Sequence, residues 1–331
     1  MRLENILALT HGRLVNDPFV KLFDNIVFDS KAVKRGDLFI AFKEEMIEDA
    51  IFNGAYGVMF DKPTQITDDE IAWIKVKDCE ISLKKLLRFI LVEKSIRTYK
   101  CNEIILKLAL QTVTEQNFII IHGEIRQIYK KLLNIDNNSI ILFSPTLSDE
   151  DIFTNINTIP KNTKKLITLK EHTLFEISFI YENIFYERQQ LSPFFIPYLE
   201  ILFNFYKELN INFRLKKFTQ INNFEISFIN KNFELKDFGS TDRVLIFEHN
   251  QEFVKSEIEY LKNNATWAKI IYILPSSTKI KLATNIYRYN NSNEILEILR
   301  KTKFNFALIV GVDKSILPTS FSRQTQLTLD L

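Results

Sequence analysis

The segment around residue 120 has the order of a phosphate-binding loop but lacks its chemistry. An apolar strand is predicted at Phe118–Ile121, followed by the loop His122-Gly123-Glu124 and a helix. A phosphate loop cradles its ligand with backbone N–H groups, which requires small residues, and adds a lysine that neutralises charge. Here the carboxylate of Glu124 would repel phosphate, and no lysine follows before Lys130. The sequence therefore predicts a degenerate nucleotide loop.

The glycines of the chain support this interpretation, because none of them is followed by the Lys-Ser or Lys-Thr pair of a phosphate loop. Without that pair, neither the lysine nor the hydroxyl that holds magnesium is supplied. We therefore expect no cofactor, with ATP and magnesium needed only if the chain is an unrecognised ligase. The seven glycines are Gly12, Gly36, Gly54, Gly57, Gly123, Gly239 and Gly311.

Two pairs of polar residues lie at the ends of predicted strands. His122 with Glu124, and His249 with Glu248, have the side chains of a general acid–base pair. Such sites in α/β proteins often lie at the ends of strands. The sequence identifies no third partner for either pair, so solvated turns are the favoured interpretation and no catalytic residue is assigned.

Composition sets limits on the class of protein. The 331 residues are 46% hydrophobic and 25% charged, with a net charge of +2, which is typical of a globular protein. This charge balance predicts no direct nucleic-acid binding and no attraction to an anionic membrane. Cys79 and Cys101 have no metal-ligand spacing. The polar N-terminus and the lack of a long apolar run predict a cytoplasmic protein.

Strands and helices alternate along most of the chain. Helices are predicted at 82–92, 102–116, 125–133, 193–209, 252–263 and 293–302. Strands are predicted between them. They include a strand at 38–42 after a turn at 34–37, a buried strand at 56–60, a hairpin at 224–229 and 232–235, and strands at 243–247, 269–274 and 306–310. This alternation predicts an α/β fold with parallel or mixed sheets covered by helices.

The N-terminal segment carries two strings that resemble the opening domain of the Mur ligases. Asp29, Ser30 and Lys31, with Arg35–Ala41 (RGDLFIA), resemble the family pattern DSR, a gap, then GDLF-[IV]-A. Ala50–Met59 resembles the family's stretch of Ala, three residues, Gly-Ala, then Val. Among the family's branches, the sequence is most similar to the ligase that adds D-alanyl-D-alanine to the muramyl tripeptide.

The resemblance implies a three-part architecture that is reduced relative to the family. It predicts an N-terminal domain at residues 1–97 and a shrunken central domain without a phosphate loop at 98–240. A Rossmann-like C-terminal domain at 241–320 and a tail at 321–331 would follow. For substrate binding, the resemblance points to Ser30 and Lys31. Lysine lacks the bidentate fork of the arginine that the family has at the second position.

The departures from the family point to a protein that no longer catalyses ligation. Electrostatic contacts on a transferring phosphoryl group each contribute several kcal/mol to catalysis. Losing the loop, its lysine and the magnesium ligands together would remove most of the acceleration. We therefore expect a pseudoenzyme that binds a protein partner or a cell-wall precursor such as a UDP-muramyl peptide. The alternative is a divergent ATP-dependent ligase of peptidoglycan precursors, with an unrecognised nucleotide site around His122–Arg126.

The C-terminal residues carry a separate motif. The string Gln326-Leu327-Thr328-Leu329-Asp330-Leu331 resembles the peptide by which bacterial replication proteins dock on the DNA sliding clamp. In that mode a glutamine enters a polar pocket and leucines fill an apolar groove. The alternative is a final strand packed on the C-terminal sheet. Gln326, Leu327, Leu329 and Leu331 would be the contact residues of the docking peptide.

Overall fold

The computed structural model describes residues 1–160, 164–279 and 284–317. The predicted α/β class with parallel sheets is confirmed. Contacts group the chain into two compact units. The first unit comprises residues 1–106 and 115–159, and the second comprises 107–114 and the described residues from 160 onward. The tail motif at residues 326–331 lies outside the described residues.

The helices alternate with the strands through both units. No helix among the described residues is long and apolar enough to cross a membrane. The α-helices are α1 (Leu3–Thr10), α2 (Ile47–Phe52), α3 (Cys79–Val92), α4 (Glu103–Ala109), α5 (Ile125–Leu132), α6 (Ile196–Glu208), α7 (Val254–Asn264) and α8 (Ser292–Lys301).

The strands are short, as is usual for sheets in α/β proteins. They are β1 (Arg13–Leu14), β2 (Ile26–Val27), β3 (Leu38–Ala41), β4 (Gly57–Phe60), β5 (Ala72–Lys75), β6 (Arg97–Lys100), β7 (Thr112–Thr114), β8 (Phe118–Ile121), β9 (Ile140–Phe143), β10 (Ile156–Thr158), β11 (Thr168–His172), β12 (Ile177–Tyr181), β13 (Ile184–Gln189), β14 (Phe213–Leu215), β15 (Glu225–Ile229), β16 (Leu235–Lys236), β17 (Arg243–Glu248), β18 (Ile270–Pro275), β19 (Ile286–Tyr289) and β20 (Phe306–Val310).

The first unit contains two sheets that share one apolar core. The first sheet has the order β1-β5-β4-β3-β2, and all pairs except β1 with β5 are parallel. The second has the order β10-β6-β9-β8 and is parallel throughout. One buried cluster contains residues of both sheets, among them Ile40 and Ile141, together with Leu86 of α3 and Tyr129 of α5.

The turn that leads into β3 explains the RGDLF string. Asp37 is buried, with 2% of its surface exposed. One carboxylate oxygen accepts a hydrogen bond from the Lys34 N–H at 2.9 Å, and the other accepts one from Asn25 Nδ2 at 2.9 Å. Gly36 has φ of +99°, a conformation that residues with a Cβ rarely adopt. The glycine and the aspartate are therefore both required by the turn.

The second unit is built on a six-stranded sheet with the order β16-β15-β17-β20-β18-β19. Strands β17, β20, β18 and β19 are parallel, whereas β15 pairs antiparallel with β17. The hairpin predicted at 224–235 thus extends the C-terminal sheet, although the sequence analysis placed it in the central part. Its apolar residues Ile226 and Ile229 gain burial by pairing along β17.

The prediction of a helix at 102–116 is wrong for the second half of that segment. Helix α4 ends at Ala109, and Thr112–Thr114 forms β7, which pairs antiparallel with β14. Thr112 and Val113 are β-branched, which favours a strand when a partner strand is near. That partner, Phe213–Leu215, lies about a hundred residues later in the chain, so the local pattern could not reveal it.

The predicted domain boundaries fall within the two units. Residue 97 lies inside the first unit and residue 240 inside the second. The three-domain division, which the Mur-ligase resemblance implied, therefore remains a prediction. Contacts within the chain group its residues into two units.

We predict that Asp37→Ala lowers the free energy of unfolding by about 3 kcal/mol. The substitution removes two hydrogen bonds to a buried charged group and leaves their donors without an acceptor, and each such bond contributes about 1.5–3 kcal/mol. Urea denaturation would measure the change. Asp17→Ala is the control, because Asp17 is an exposed carboxylate of the same unit outside this turn, and we expect a change within about 0.5 kcal/mol. Equal losses in both variants would contradict the role given to Asp37.

Candidate functional site

A cleft in the first unit lies where strands of both sheets end. Phe28 and Asp29 follow β2, Phe42 and Lys43 follow β3, and helix α5 begins after β8. We call this space the strand-end cleft, and its volume is about 510 Å³. That volume is within the range of small-molecule sites. The cleft is lined by Phe28, Asp29, Phe42, Lys43, Met46, Glu124, Arg126, Gln127 and Lys130.

Aromatic rings and cations are paired along the wall of the strand-end cleft. The Arg126 guanidinium carbon lies 5.0 Å from the centre of the Phe42 ring, and Lys130 Nζ lies 5.1 Å from the centre of the Phe28 ring. The two rings meet edge to face with centres 6.1 Å apart. Cations held over aromatic faces at this distance are attracted by the ring quadrupole. The rings therefore fix the positions of both cations at the cleft.

The two cations on α5 are four residues apart and lie on the same face of the helix. Like charges at this spacing weaken a helix slightly, and a bound anion would relieve their repulsion. Arg126 Nη2 donates to Glu124 Oε2 at 2.8 Å. Its Nε is buried and has no hydrogen-bond partner among the described residues. This Nε–H is enclosed by the protein, so a ligand in the cleft would contact the terminal nitrogens of the guanidinium.

The one glycine of the loop between β8 and α5 is engaged within the chain. The Gly123 N–H donates to the Leu147 carbonyl at 2.8 Å, so the loop's one glycine has no N–H left for a ligand. Gly123 has φ of +93°, and a Cβ at this position would lie 2.5 Å from Gln127 Oε1. The glycine is therefore required by the turn itself. Glu124 lines the cleft and places a carboxylate there.

The predicted binding residues occupy different positions relative to the strand-end cleft. Ser30 is buried, and its carbonyl accepts a hydrogen bond from Asn53 Nδ2 at 3.0 Å. Lys31 and His122 are exposed. The side chains that line the cleft are instead Phe28 and Asp29, which directly precede the predicted pair. The role of Ser30 and Lys31 in binding remains a prediction.

The sequence pointed only in part to the residues that line this cleft on α5. Arg126 ended the nucleotide site expected around His122–Arg126 under the ligase alternative, and Lys130 was taken as too distant from the loop to meet a ligand. The spacing of four residues in a helix was a usable signal, since it places both side chains on one face. What the sequence did not indicate was that this face lies beside the ends of β2 and β3.

In the second unit, the carboxyl end of β17 is occupied by a buried carboxylate. Glu248 has 0% exposure, and His249 Nδ1 lies 3.7 Å from its Oε1. Glu248 accepts hydrogen bonds from Asn223 Nδ2 at 3.1 Å, the Phe224 N–H at 3.1 Å and the Asn250 N–H at 2.6 Å. The first two bonds tie the segment before β15 to the end of β17, so Glu248 has a structural role.

A second carboxyl group is buried on the neighbouring helix. Glu257 of α7 is fully buried, and neither of its oxygens has a hydrogen-bond partner among the described residues. Burial, then the neighbouring charge of Glu248 and a hydrogen bond that a protonated Glu257 can donate to it, hold the pKa of Glu257 well above its usual range. A buried carboxyl beside a second carboxylate is most stable in its neutral form. Glu257 is thus a source of pH dependence in the second unit.

The described residues include neither a candidate metal-ligand cluster nor an activated cysteine. No group of three or more His, Cys, Asp or Glu side chains among them is arranged to hold a metal ion. Cys79 and Cys101 are buried. Burial raises the pKa of both thiols above the ordinary value, so neither is poised as a thiolate nucleophile.

Comparison with known proteins finds a likeness in fold. No protein-family model matches the chain, and no curated protein matches it. The chain is similar to the MurF ligase of Thermotoga maritima solved in complex with ADP, with 12% identity, 88% of this chain and 94% of that chain covered, and a TM-score of 0.47. It is also similar to MurF from Acinetobacter baumannii, with 10% identity, coverage of 93% and 95%, and a TM-score of 0.49.

A third similar structure is a UDP-N-acetylmuramoyl-L-alanyl-D-glutamate–2,6-diaminopimelate ligase. It shares 9% identity, covers 95% of this chain and 93% of its own, and has a TM-score of 0.36. With such identities and TM-scores below 0.5, these likenesses assign no activity to this chain.

We predict that Glu257→Gln is more stable than the wild-type chain at about pH 8. We also expect the variant to lose less stability than the wild-type chain as the pH rises from mild acid to about 8. A carboxyl whose pKa is raised by folding contributes stability that is fully present below its unfolded pKa. That contribution is lost as the pH rises through its folded pKa. The amide has a similar shape and does not ionise. The measurement is the thermal midpoint as a function of pH.

Glu259→Gln is the matched control for this prediction. Glu259 lies on the same helix and is exposed, so its amide should leave the slope of the thermal midpoint with pH unchanged. If Glu257→Gln shows the wild-type slope, Glu257 does not titrate as its burial implies.

Proposed function

We propose that this chain is a non-catalytic, Mur-ligase-like protein whose strand-end cleft binds the phosphate-bearing part of a nucleotide-linked cell-wall precursor. The observation that carries the proposal is the convergence of three cations, Lys43, Arg126 and Lys130, with the rings of Phe28 and Phe42 around one cleft. A diphosphate bound to a sugar and a planar base combines the charges and the flat surface that such a lining recognises.

The charges of the lining favour an anionic ligand. Three cationic side chains face two acidic ones, Asp29 and Glu124. The Arg126 guanidinium lines the cleft, and arginine binds phosphate through parallel N–H bonds that are stronger than neutral hydrogen bonds. Lys43 is exposed, and its Nζ lies 3.9 Å from Glu45 Oε1, a distance at which an exposed pair contributes little. Lys43 therefore remains free to contact a ligand.

The form of the β8–α5 loop supports the non-catalytic part of the proposal. ATP-driven ligation requires a cradle of free N–H donors and a magnesium ion close to the phosphates. The Gly123 N–H is already bonded to Leu147, and Glu124 faces the cleft. An ATP-dependent ligase would have to use a nucleotide site of another form.

We predict that a UDP-muramyl peptide binds the full chain and that Arg126→Gln and Lys130→Gln each weaken binding about tenfold or more. A hydrogen bond to a charged group contributes about 1.5–3 kcal/mol, and about 1.4 kcal/mol corresponds to a tenfold change. Isothermal titration calorimetry would measure both affinities. UDP alone should retain part of the affinity if the cleft holds the diphosphate.

Lys131→Gln provides the control on the same helix. Lys131 lies next to Lys130 in sequence, but its Nζ donates to the Ile120 carbonyl at 2.6 Å. Its substitution should leave the affinity unchanged. If UDP-muramyl peptide produces no heat at millimolar concentration, the binding proposal is wrong.

The ligase alternative has a direct test of its own. The full chain would be incubated with ATP, magnesium, D-alanyl-D-alanine and the UDP-muramyl tripeptide while phosphate release is followed. We expect no release above the rate without protein. Steady turnover that disappears in Arg126→Gln would establish an enzyme and replace the non-catalytic assignment.

A further inference from the structure

The second unit contains a pocket at the amino-terminal end of its six-stranded sheet. Val244 of β17 and Phe306 of β20, which are paired in register, lie at this end. The end of α7 and the turn between β11 and β12 close the sides. The pocket has a volume of about 430 Å³, which is within the range of small-molecule sites. We call it the aromatic pocket.

Aromatic rings form much of the wall of the aromatic pocket. The Phe306 ring centre lies 5.6 Å from that of Phe175 and 5.5 Å from that of Trp267, and both ring pairs are nearly perpendicular. Phe175 and Phe306 are buried, whereas Trp267 is 71% exposed. An indole anchored on a buried ring, with most of its own surface in water, presents a flat apolar face that a ligand can cover.

The charge of the aromatic pocket is opposite to that of the strand-end cleft. Asp242 lines it, and no lysine or arginine does so among the described residues. Asp242 is exposed and forms no ion pair or side-chain hydrogen bond within the described part of the chain. His172 also lines the pocket. One unpaired carboxylate beside an indole is a combination that attracts cations, since tryptophan is the most favourable ring for cation–π contacts.

We propose that the aromatic pocket is a second binding site, specific for a small planar molecule that carries an amidinium, guanidinium or ammonium group. The plane of the ligand lies against the exposed face of Trp267, with its edge toward Phe306. Its cationic group pairs with the Asp242 carboxylate at the rim.

The remaining polar groups of the pocket favour this arrangement. Tyr260 OH donates to the Leu174 carbonyl at 3.3 Å, and Asn264 Nδ2 donates to the Tyr260 carbonyl at 2.9 Å. The Tyr260 hydroxyl and one N–H of Asn264 are thus engaged, and Asp242 is the one acidic or basic residue other than His172 in the described lining. Because the Asp242 carboxylate accepts hydrogen bonds and carries negative charge, donors and cations are selected and anions are repelled.

Three probes of nearly the same shape test the proposal. Benzamidine is a planar cation, benzamide is its neutral counterpart, and benzoate is its anionic counterpart. Each would be titrated into the full chain at about pH 8, with binding followed by tryptophan fluorescence and by ligand-observed NMR. We expect benzamidine to bind at least tenfold more tightly than benzamide, and benzoate to show no binding.

The two tryptophans of the chain make the fluorescence readout specific. Trp73 is fully buried in the first unit, whereas Trp267 is largely exposed in the second. Trp267→Phe should therefore abolish the fluorescence change while the Trp73 emission remains as evidence of folding. If the change persists in Trp267→Phe, the probe binds elsewhere and the proposal fails.

Asp242→Asn tests the selection for charge. The variant should bind benzamidine no more tightly than benzamide, with both affinities near that of benzamide for the wild-type chain. Asp237→Asn is the control, because Asp237 is an exposed carboxylate of the same unit that does not line the pocket. It should preserve the preference for benzamidine.

The outcomes separate this proposal from the one made for the strand-end cleft. Arg126→Gln should leave benzamidine binding unchanged, because Arg126 belongs to the first unit. Equal affinity for the three probes, a preference for benzoate, or no binding of benzamidine at millimolar concentration would each overturn the proposal.

Discussion

Parallel strand pairing is the constraint on which the strand-end cleft depends. Strands β2, β3 and β4 run in the same direction, so the residues that follow them emerge at one edge of the sheet. Strand β8 ends in the same way at the edge of the other sheet of the first unit. Because both sheets share one apolar core, helix α5 packs there with its cationic face at the cleft. The site is thus a consequence of strand direction and packing together.

The carboxyl end of the six-stranded sheet in the second unit holds buried carboxyl groups. There Glu248 accepts three N–H bonds at the end of β17, and Glu257 is buried on α7 nearby. Glu248 is engaged by internal hydrogen bonds, two of which tie the segment before β15 to this end of the sheet. The aromatic pocket lies at the other, amino end of the same sheet, beside Trp267. The two proposed sites therefore lie at opposite ends of their strands.

Local patterns predicted much of the fold. The buried strands at Leu38–Ala41, Gly57–Phe60 and Phe306–Val310 were evident from short apolar runs, and helix α3 from its apolar spacing. The errors lie where a distant partner decides the outcome. Thr112–Thr114 becomes a strand because β14 pairs with it, and β15 joins the C-terminal sheet because β17 offers its edge. Pairing energies of this kind depend on residues that a local window does not contain.

The sequence by itself determined the α/β class, the Gly36–Asp37 turn and the lack of a Lys-Ser or Lys-Thr pair after any glycine. These follow from backbone conformation, hydrogen-bonding capacity and charge, which are properties of neighbouring residues. The tertiary structure alone decided that Arg126 and Lys130 lie beside Phe28 and Phe42. Residues about a hundred positions apart meet only when strands pair and a core closes, so their shared site is a property of packing.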